Sequence, residues 1–185
     1  MKNTLYLLLL VFTLSLSTFA QSEKIQWRTV EEVAALQLKS PRKVLMDVYT
    51  SWCGPCKMMM KNTFTNTNVI RYVNEHFYAI KFNAESGDPV TFKGNTYTNP
   101  EFNPGARGRN SQHQLAEAFG VNSYPTIIYM DEEMNVIAPI KGYQTPEKIE
   151  LYLKLFGENI YLEVESSEDF KKFQTEFKPT FHLTN

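Results

Sequence analysis

The stretch that decides the fold is VLMDVYTSWCGPCKMM, residues 44–59, which contains the only two cysteines of the 185-residue chain, Cys53 and Cys56. Its first part, residues 44–50, is a short β-branched and apolar run of the kind expected for a buried central strand, with Asp47 in its middle. The residues after the turn SWCGPC are compatible with a helix and include no helix breaker. The sequence therefore predicts a strand, a tight turn and a helix, with the cysteine pair at the turn.

The spacing of the two cysteines limits what they can do. A disulfide between residues three positions apart closes almost no loop, so it would constrain the unfolded chain very little. Structural zinc almost always needs four ligands, and His76, His113 and His182 are isolated in the sequence and show no ligand spacing. A structural disulfide and a zinc site stay open as alternatives, and redox chemistry is the interpretation that the spacing favours.

The predicted position of Cys53 favours a reactive thiolate. It falls at the N-terminus of the predicted helix, with Pro55 in the first turn, where the missing N–H of proline does no harm. Unpaired backbone N–H groups and the helix dipole favour a negative charge there, and such positions in Cys-X-X-Cys motifs lower the thiol pKa from about 8.5 toward 7 or below. Cys53 is therefore the predicted nucleophile. Cys56, one turn further along and expected to be less exposed, is the predicted resolving cysteine.

This strand, turn and helix resemble the active-site segment of the thioredoxin family. Three further features agree with the resemblance. Asp47 stands six residues before Cys53, Lys81 lies in AIKFN, and Pro125 lies in SYPTIIYMD. The resemblance implies an α/β fold, the thioredoxin-like three-layer sandwich in which a central mixed sheet is flanked by helices.

The resemblance also implies roles for individual residues. Asp47 is expected to accept the proton of the resolving cysteine, and Lys81 is expected to tune it. Pro125 is expected to be a cis-proline that faces the cysteine pair. The residues expected to be catalytic are Cys53, Cys56, Asp47 and Lys81. The residues expected to shape the turn or bind substrate are Trp52, Gly54, Pro55, Tyr124 and Pro125.

One domain is predicted, over residues 21–157, and the resemblance covers roughly residues 42–84 and 111–157 of it. Strands alternate with helices throughout, in agreement with an α/β sandwich. The elements predicted outside the redox segment are helices over Trp27–Leu38, with Leu38 on its apolar stripe, over 66–77 and over 145–157, a strand over 78–83, and a hairpin of TIIYMD with VIAPIKGY.

Residues 85–110 do not belong to a minimal thioredoxin domain. They are rich in Gly, Pro and Asn, which predicts a long loop with a hairpin at VTFKGNTYT, and Phe92, Tyr97 and Phe102 indicate that the loop packs on the domain. We hypothesise that this insertion shapes a substrate surface near the redox site, and packing elsewhere is the alternative. The RGR run at residues 107–109 is expected to be solvated rather than to grip an anionic substrate.

Residues 158–185 are a second addition, for which the sequence predicts a C-terminal helix docked on the domain. Ser166 or Ser167 can cap this helix, and contact with a partner is the alternative role. The aromatic residues that fall at helical spacing in it are Phe170, Phe173 and Phe177.

Two other features are assigned to structure rather than chemistry. Met58–Met60 could suggest a copper site because a thioether is a soft ligand, but adjacent residues on a helix point in different directions, so core packing is expected. His113, after the predicted helix cap Ser111, is expected to be a surface residue.

The first 20 residues predict a secretory signal peptide. Lys2 precedes an apolar run that ends at a small residue, Ala20, and a membrane anchor is the alternative. We therefore expect the mature protein to be exported and soluble in the periplasm. With 19 basic and 20 acidic residues the net charge is −1, which gives no electrostatic reason to expect nucleic acid or an anionic membrane as a partner.

The expected activity is that of a protein-disulfide reductase, because Gly54 and Pro55 between the cysteines resemble the reducing members of the thioredoxin family. The chain has no third cysteine and no flavin or nicotinamide fingerprint. The disulfide Cys53–Cys56 is therefore expected to be the redox group, without a cofactor, and electrons are expected from a membrane-bound thiol donor. Disulfide-containing exported proteins are the expected substrates, and the protein is expected to be a monomer.

Two alternatives remain. The same residues could run the exchange in the opposite direction, as an oxidase or isomerase. The fold could also serve as a non-enzymatic adaptor or a copper-delivery module. Asp47 and the Gly-Pro pair argue against an adaptor, which would need neither, and copper delivery usually brings a third ligand that spacing does not identify here.

Overall fold

The computed structural model describes residues 24–182, so the predicted signal peptide lies outside the described residues. Within that range there is no helix with the length and apolar character needed to span a bilayer. The strands of this part of the chain are β1 (Trp27–Arg28), β2 (Lys43–Tyr49), β3 (Phe77–Asn83), β4 (Val90–Phe92), β5 (Asn95–Tyr97), β6 (Thr126–Met130) and β7 (Val136–Lys141). The α-helices are α1 (Val30–Gln37), α2 (Gly54–Asn62), α3 (Thr67–His76), α4 (Gln114–Ala118), α5 (Pro146–Gly157) and α6 (Ser167–Glu176).

Five of these strands form one mixed sheet in the order β1-β3-β2-β6-β7. The strands β1, β3 and β2 are parallel to one another, whereas β6 runs antiparallel to both β2 and β7. Because β2 and β3 are parallel, their carboxyl ends lie at the same edge of the sheet, and the turn with the cysteines begins there.

The sheet is covered by helices on both faces. Successive side chains of a strand point to opposite faces, so Leu45 and Asp47 of β2 lie on one face while Val44, Met46 and Val48 lie on the other. The first face is covered by α2, α3 and α5, and the second by α1 and α4. This arrangement is the three-layer α/β sandwich with a central mixed sheet that the sequence predicts.

The first helix is shorter than predicted. Trp27 and Arg28 pair with β3 as an edge strand, and Thr29 then caps α1 through a capping box with Glu32. Leu38, which was expected on the apolar stripe, is 89% exposed because it is the C-cap residue that follows the last helical turn.

The insertion contains a two-stranded hairpin, β4 and β5, that is separate from the main sheet. Its turn residues Lys93 and Gly94 both have positive φ, 49° and 79°, which is the conformation of the tight turns that suit the twist of hairpin strands. Phe92 is buried in the core of the second face, with its ring edge-on to Phe119. Phe102, which was expected to pack, is 38% exposed, and its ring lies against Gly87 at the start of the insertion rather than in the core.

His113 is fully buried. The prediction that it is a surface residue, following a helix cap at Ser111, was therefore wrong. His113 is itself the cap of α4, because its Nδ1 accepts a hydrogen bond of 3.1 Å from the N–H of Leu115. Its Nε2 therefore carries the proton and donates to the carbonyl oxygen of Asp88 over 3.1 Å. Both ring nitrogens have partners, so the imidazole can be buried, and it ties the insertion to the start of α4.

The extension after α5 lies against that helix. Its helix α6 begins after Ser166, which forms a capping box with Asp169, and Phe170 and Phe173 pack, partly buried, against the core of the first face. Beyond α6, Phe181 is buried in the same core.

A buried carboxylate, that of Glu150 in α5, holds the end of the extension. It accepts hydrogen bonds from the backbone N–H groups of Thr180 and Phe181, at 2.6 and 2.7 Å, and from the Thr180 hydroxyl at 2.6 Å. Lys154 pairs with it at 2.8 Å. Burial acts to raise the pKa of Glu150, but these hydrogen bonds together outweigh burial and hold the pKa below its usual value.

We therefore expect Glu150→Gln to lower the free energy of unfolding by about 2 kcal/mol, because an amide cannot replace these charge-assisted hydrogen bonds. Chemical denaturation should show the loss, and hydrogen exchange should show faster exchange of the Thr180 and Phe181 amides. Glu163→Gln, at an exposed position of the same extension, is the matched control and should change neither quantity. Unaltered exchange at Thr180 in Glu150→Gln would contradict the anchoring role.

Candidate redox site

The cysteine pair lies where β2 passes into α2. Cys53 is the N-cap residue of α2, and Pro55 lies in the first turn, which is the position that the sequence predicts. The Sγ atom of Cys53 accepts a hydrogen bond of 3.1 Å from the N–H of Cys56. A negative charge on this sulfur would therefore lie at the positive end of the helix and next to a backbone donor.

The two cysteines form a disulfide, with the sulfur atoms 2.05 Å apart. Cys53 is 2% exposed and Cys56 is 3% exposed, so the expected difference in exposure between them is absent from the disulfide form. The side chain of Trp52 is partly exposed beside them, and Gly54 and Pro55 are exposed. Of the three methionines that follow, only Met59 is buried in the core.

Asp47 and Lys81 are side by side under α2. They are register partners on β2 and β3, and the Asp47 side chain points to the face that α2 covers. Asp47 is 1% exposed, and its Oδ1 atom has no hydrogen-bond partner. Burial raises the pKa of Asp47 from 3.8 to about 7, and the positive charge of Lys81 offsets only part of this effect. Asp47 can therefore gain or lose a proton near neutral pH.

Lys81 is held at the rim of the site by aromatic rings. Its Nζ lies 4.8 Å from the centre of the Tyr49 ring and 5.7 Å from that of Trp27, distances at which a cation is attracted to the ring face. Burial lowers the pKa of Lys81, and the neighbouring Asp47 acts in the opposite direction.

A cavity of about 360 Å³ opens beside the resolving side of the disulfide. Cys56 and the buried Thr50 form part of its wall, together with the three lysines Lys57, Lys61 and Lys81. The Oγ1 atom of Thr50 has no hydrogen-bond partner. Water or another small polar molecule in this cavity could reach the neighbourhood of Cys56.

The Tyr124–Pro125 peptide bond is cis. Its segment leads into β6, and the carbonyl of Pro125 accepts a hydrogen bond of 2.8 Å from the N–H of Gly142. The Tyr124 ring packs edge-on against the Trp52 ring, with the ring centres 6.0 Å apart. The structure thus brings the Tyr-Pro segment to the tryptophan that precedes the cysteine pair.

Three residues at the ends of the insertion also belong to this site. The sequence did not point to Glu85 or Asn110, and it pointed to Arg109 only as part of the RGR run. The Trp52 indole N–H donates to the Glu85 carboxylate over 2.9 Å, and the backbone N–H of Asn110 donates to the same carboxylate over 3.0 Å. The guanidinium of Arg109, in the RGR run that was expected to be solvated, lies 4.3 Å from the centre of the Trp52 ring. One feature of the sequence could have indicated Glu85. It comes just after β3, so it lies at the sheet edge where the redox turn begins.

No three side chains of the kinds that commonly bind metal ions lie together anywhere in residues 24–182. The chemistry that the arrangement itself offers is thiol-disulfide exchange. It combines a disulfide at a helix N-terminus, a buried carboxyl group that titrates near pH 7 and a cis X-Pro segment at the adjoining tryptophan.

Two curated proteins show the relation to known sequences. The chain is 27% identical over 153 residues to the thiol-disulfide oxidoreductase ResA of Bacillus cereus, an alignment that covers 77% of this chain and 86% of the relative. It is 25% identical over 107 residues to the thiol:disulfide interchange protein DsbD of Photorhabdus laumondii, with 58% of this chain covered. The chain spans only 14% of the length of that DsbD.

Solved structures and a family model establish the fold and the family. A thioredoxin-fold protein from Helicobacter pylori superposes with a TM-score of 0.58 at 19% identity, over 85% of this chain and 91% of that one, which confirms the predicted fold class. The family model described as a thioredoxin-like domain matches residues 30–157. This range includes the redox turn, the buried Asp47, the insertion and the cis-proline segment, and the chain therefore belongs to the family of thioredoxin-like domains.

Proposed function

We propose that this chain is an exported thiol-disulfide oxidoreductase that reduces protein disulfides through Cys53 and Cys56. The observation that carries the proposal is the combination of a disulfide at the N-terminus of α2 and a buried carboxyl group, with a pKa of about 7, on the sheet face that α2 covers. A staple of this spacing would add little stability, and a carboxyl group buried without a hydrogen-bond partner costs stability. In thiol-disulfide exchange coupled to proton transfer, the cysteine pair would exchange electrons with a client and the carboxyl group would accept a proton.

The reduced protein would act in two steps. The Cys53 thiolate attacks one sulfur of a client disulfide, forms a mixed disulfide and releases the other client sulfur as a thiolate. Cys56 then gives its proton to Asp47, attacks Cys53 Sγ and releases the second client thiolate. The two electrons of the protein dithiol have now passed to the client, and the protein holds the disulfide that the structure shows.

Several features support the direction and the surroundings of this reaction. Gly54 and Pro55 are the residues that reducing thioredoxins carry between their cysteines. The names of the relatives, thiol-disulfide oxidoreductase and thiol:disulfide interchange protein, describe this class of exchange in those proteins. We propose that Lys81 tunes Asp47, that Tyr124 and Pro125 present the client backbone beside Trp52, and that a membrane-bound thiol donor reduces the disulfide again. The protein would need no cofactor and would act as a monomer in the periplasm.

Cys56→Ser should trap clients as covalent mixed disulfides on Cys53, because the second step is removed while the first remains. Non-reducing electrophoresis of the envelope fraction, followed by mass spectrometry of the trapped species, would identify them. Cys53→Ser is the matched control and should trap nothing. If Cys56→Ser and wild type bind the same partners without covalent complexes, the chain is an adaptor and the redox proposal fails.

The equilibrium potential against glutathione tests the direction. We expect a value near that of thioredoxin, about −270 mV, whereas a value of about −120 mV would make the protein an oxidant. The measurement is the ratio of oxidised to reduced protein in glutathione buffers of known composition. Because it needs no client, it is independent of the trapping experiment.

Asp47→Asn should slow client reduction about tenfold near pH 7.5, because the amide cannot accept the Cys56 proton. The difference in reduction rate between the variant and wild type should become smaller below pH 7, where Asp47 of the wild type already holds its own proton. It should narrow again at high pH, where Cys56 ionises unaided. Single-turnover reduction of a disulfide peptide across this pH range measures the effect. Superimposable pH profiles for the two proteins would remove Asp47 from the mechanism.

The stability of the same variant is its control. Because the pKa of Asp47 is raised in the folded protein, the unfolded chain holds fewer protons between about pH 4 and pH 7, and the folded state loses stability as the pH rises. Asp47→Asn removes this loss. Oxidised Asp47→Asn should therefore be more stable than oxidised wild type at pH 8, by up to about 4 kcal/mol, and little different at pH 4. Slower reduction by a more stable protein cannot be explained by unfolding.

A further inference from the structure

The insertion places a cation on the indole that borders the redox turn. The Arg109 guanidinium carbon lies 4.3 Å from the centre of the Trp52 ring, within the range of a cation–π contact. Arg109 is exposed, and the two ion pairs found within residues 24–182 involve Lys43 and Lys154 instead. Its charge is therefore available to a molecule that approaches the disulfide.

Hydrogen bonds fix the backbone that carries Arg109. The N–H of Asn110 donates to Glu85 over 3.0 Å, and the Asn110 side chain exchanges two hydrogen bonds, of 2.7 and 2.9 Å, with the backbone of Asn103. Glu85 is itself largely buried and accepts the Trp52 indole N–H. Two hydrogen bonds thus occupy the Glu85 carboxylate, whereas Arg109, over the same indole, is exposed to solvent.

Further cations lie on the other side of the cysteine pair. Lys57 and Lys61 of α2 are exposed, and with Lys81 they line the cavity next to Cys56. None of these three lysines takes part in an ion pair within residues 24–182. The chain as a whole has a net charge of −1, so the positive charge beside the disulfide is local.

We propose that this protein selects clients whose disulfide is flanked by acidic residues, and that Arg109 is a specificity-determining residue for them. The proposal rests on the proposed function and adds the class of client. An acidic segment that crosses the redox turn would have Arg109 on the Trp52 side and Lys57, Lys61 and Lys81 on the Cys56 side. A guanidinium already held on an aromatic ring loses less freedom when it binds a carboxylate, and its planar donors match that group.

Two short synthetic peptides test the proposal. Each is closed by one disulfide, and glutamate flanks both cysteines in one peptide whereas glutamine flanks them in the other. The reduced protein is mixed with each peptide, and the rate of reduction is divided by the rate at which dithiothreitol reduces the same peptide. This normalisation removes the intrinsic effect of the flanking charges on disulfide reactivity.

At about 20 mM ionic strength we expect the normalised rate to be about tenfold higher for the glutamate peptide than for the glutamine peptide. At about 0.5 M this preference should disappear, because salt screens exposed charges. Arg109→Gln should lower this preference about fivefold. The preference is a ratio for one protein, so a general loss of activity in the variant does not affect it.

Arg107→Gln is the matched control. Arg107 is an exposed arginine of the same loop, but within residues 24–182 the cation–π contact with Trp52 comes from Arg109 and not from Arg107. Arg107→Gln should change the preference less than Arg109→Gln does. Equal losses in the two variants would overturn the role of Arg109, and equal normalised rates for the two peptides would overturn the selection of acidic clients while leaving the proposed function intact. If the protein reduces neither peptide nor any other disulfide, the proposed function itself fails.

Discussion

A carboxyl group buried without a hydrogen-bond partner is the constraint on which the rest of the site depends. Asp47 lies on a central strand, on the face that α2 covers, and burial raises its pKa to about 7. Such a group disfavours folding at neutral pH, so the surrounding core must compensate. The sheet does so with well-buried neighbours: Leu45, Ile127 and Tyr129 lie on the same face, and α3 and α5 pack over them.

Trp52 is the point where the separate parts of the site meet. Its indole N–H is taken by Glu85, one face carries Arg109, and Tyr124 of the cis-proline segment packs edge-on against it. The insertion is therefore part of the redox site, because residues at both of its ends contact Trp52, which precedes the cysteine pair. His113 fastens the same insertion to α4 through the carbonyl of Asp88.

The accuracy of the sequence-based predictions varied with the range of the interactions involved. Helix starts at Asn66 and Thr145 and the hairpin around Lys93–Gly94 depend on a few neighbouring residues, and the structure has them where the sequence predicts. Leu38 and His113 were placed wrongly. Leu38 fits an apolar stripe by spacing but follows the last helical turn. His113 is buried because the neighbouring N–H of Leu115 and the carbonyl of Asp88, which is 25 residues away in the sequence, satisfy its two ring nitrogens.

The sequence by itself determined the fold class and the central chemistry. The apolar run of β2, Pro55 after Cys53 and the absence of other cysteines are local facts that favour a redox turn at a helix N-terminus, and the resemblance to thioredoxins implied the fold class. Only the tertiary structure decided what surrounds that turn. Glu85, Arg109 and Asn110 are separated from Trp52 by more than thirty residues of chain. The contacts of Glu85 and Arg109 with Trp52, and of Asn110 with Glu85, depend on how the insertion folds against the edge of the sheet. The spacing of side chains along the chain carries no information about that folding.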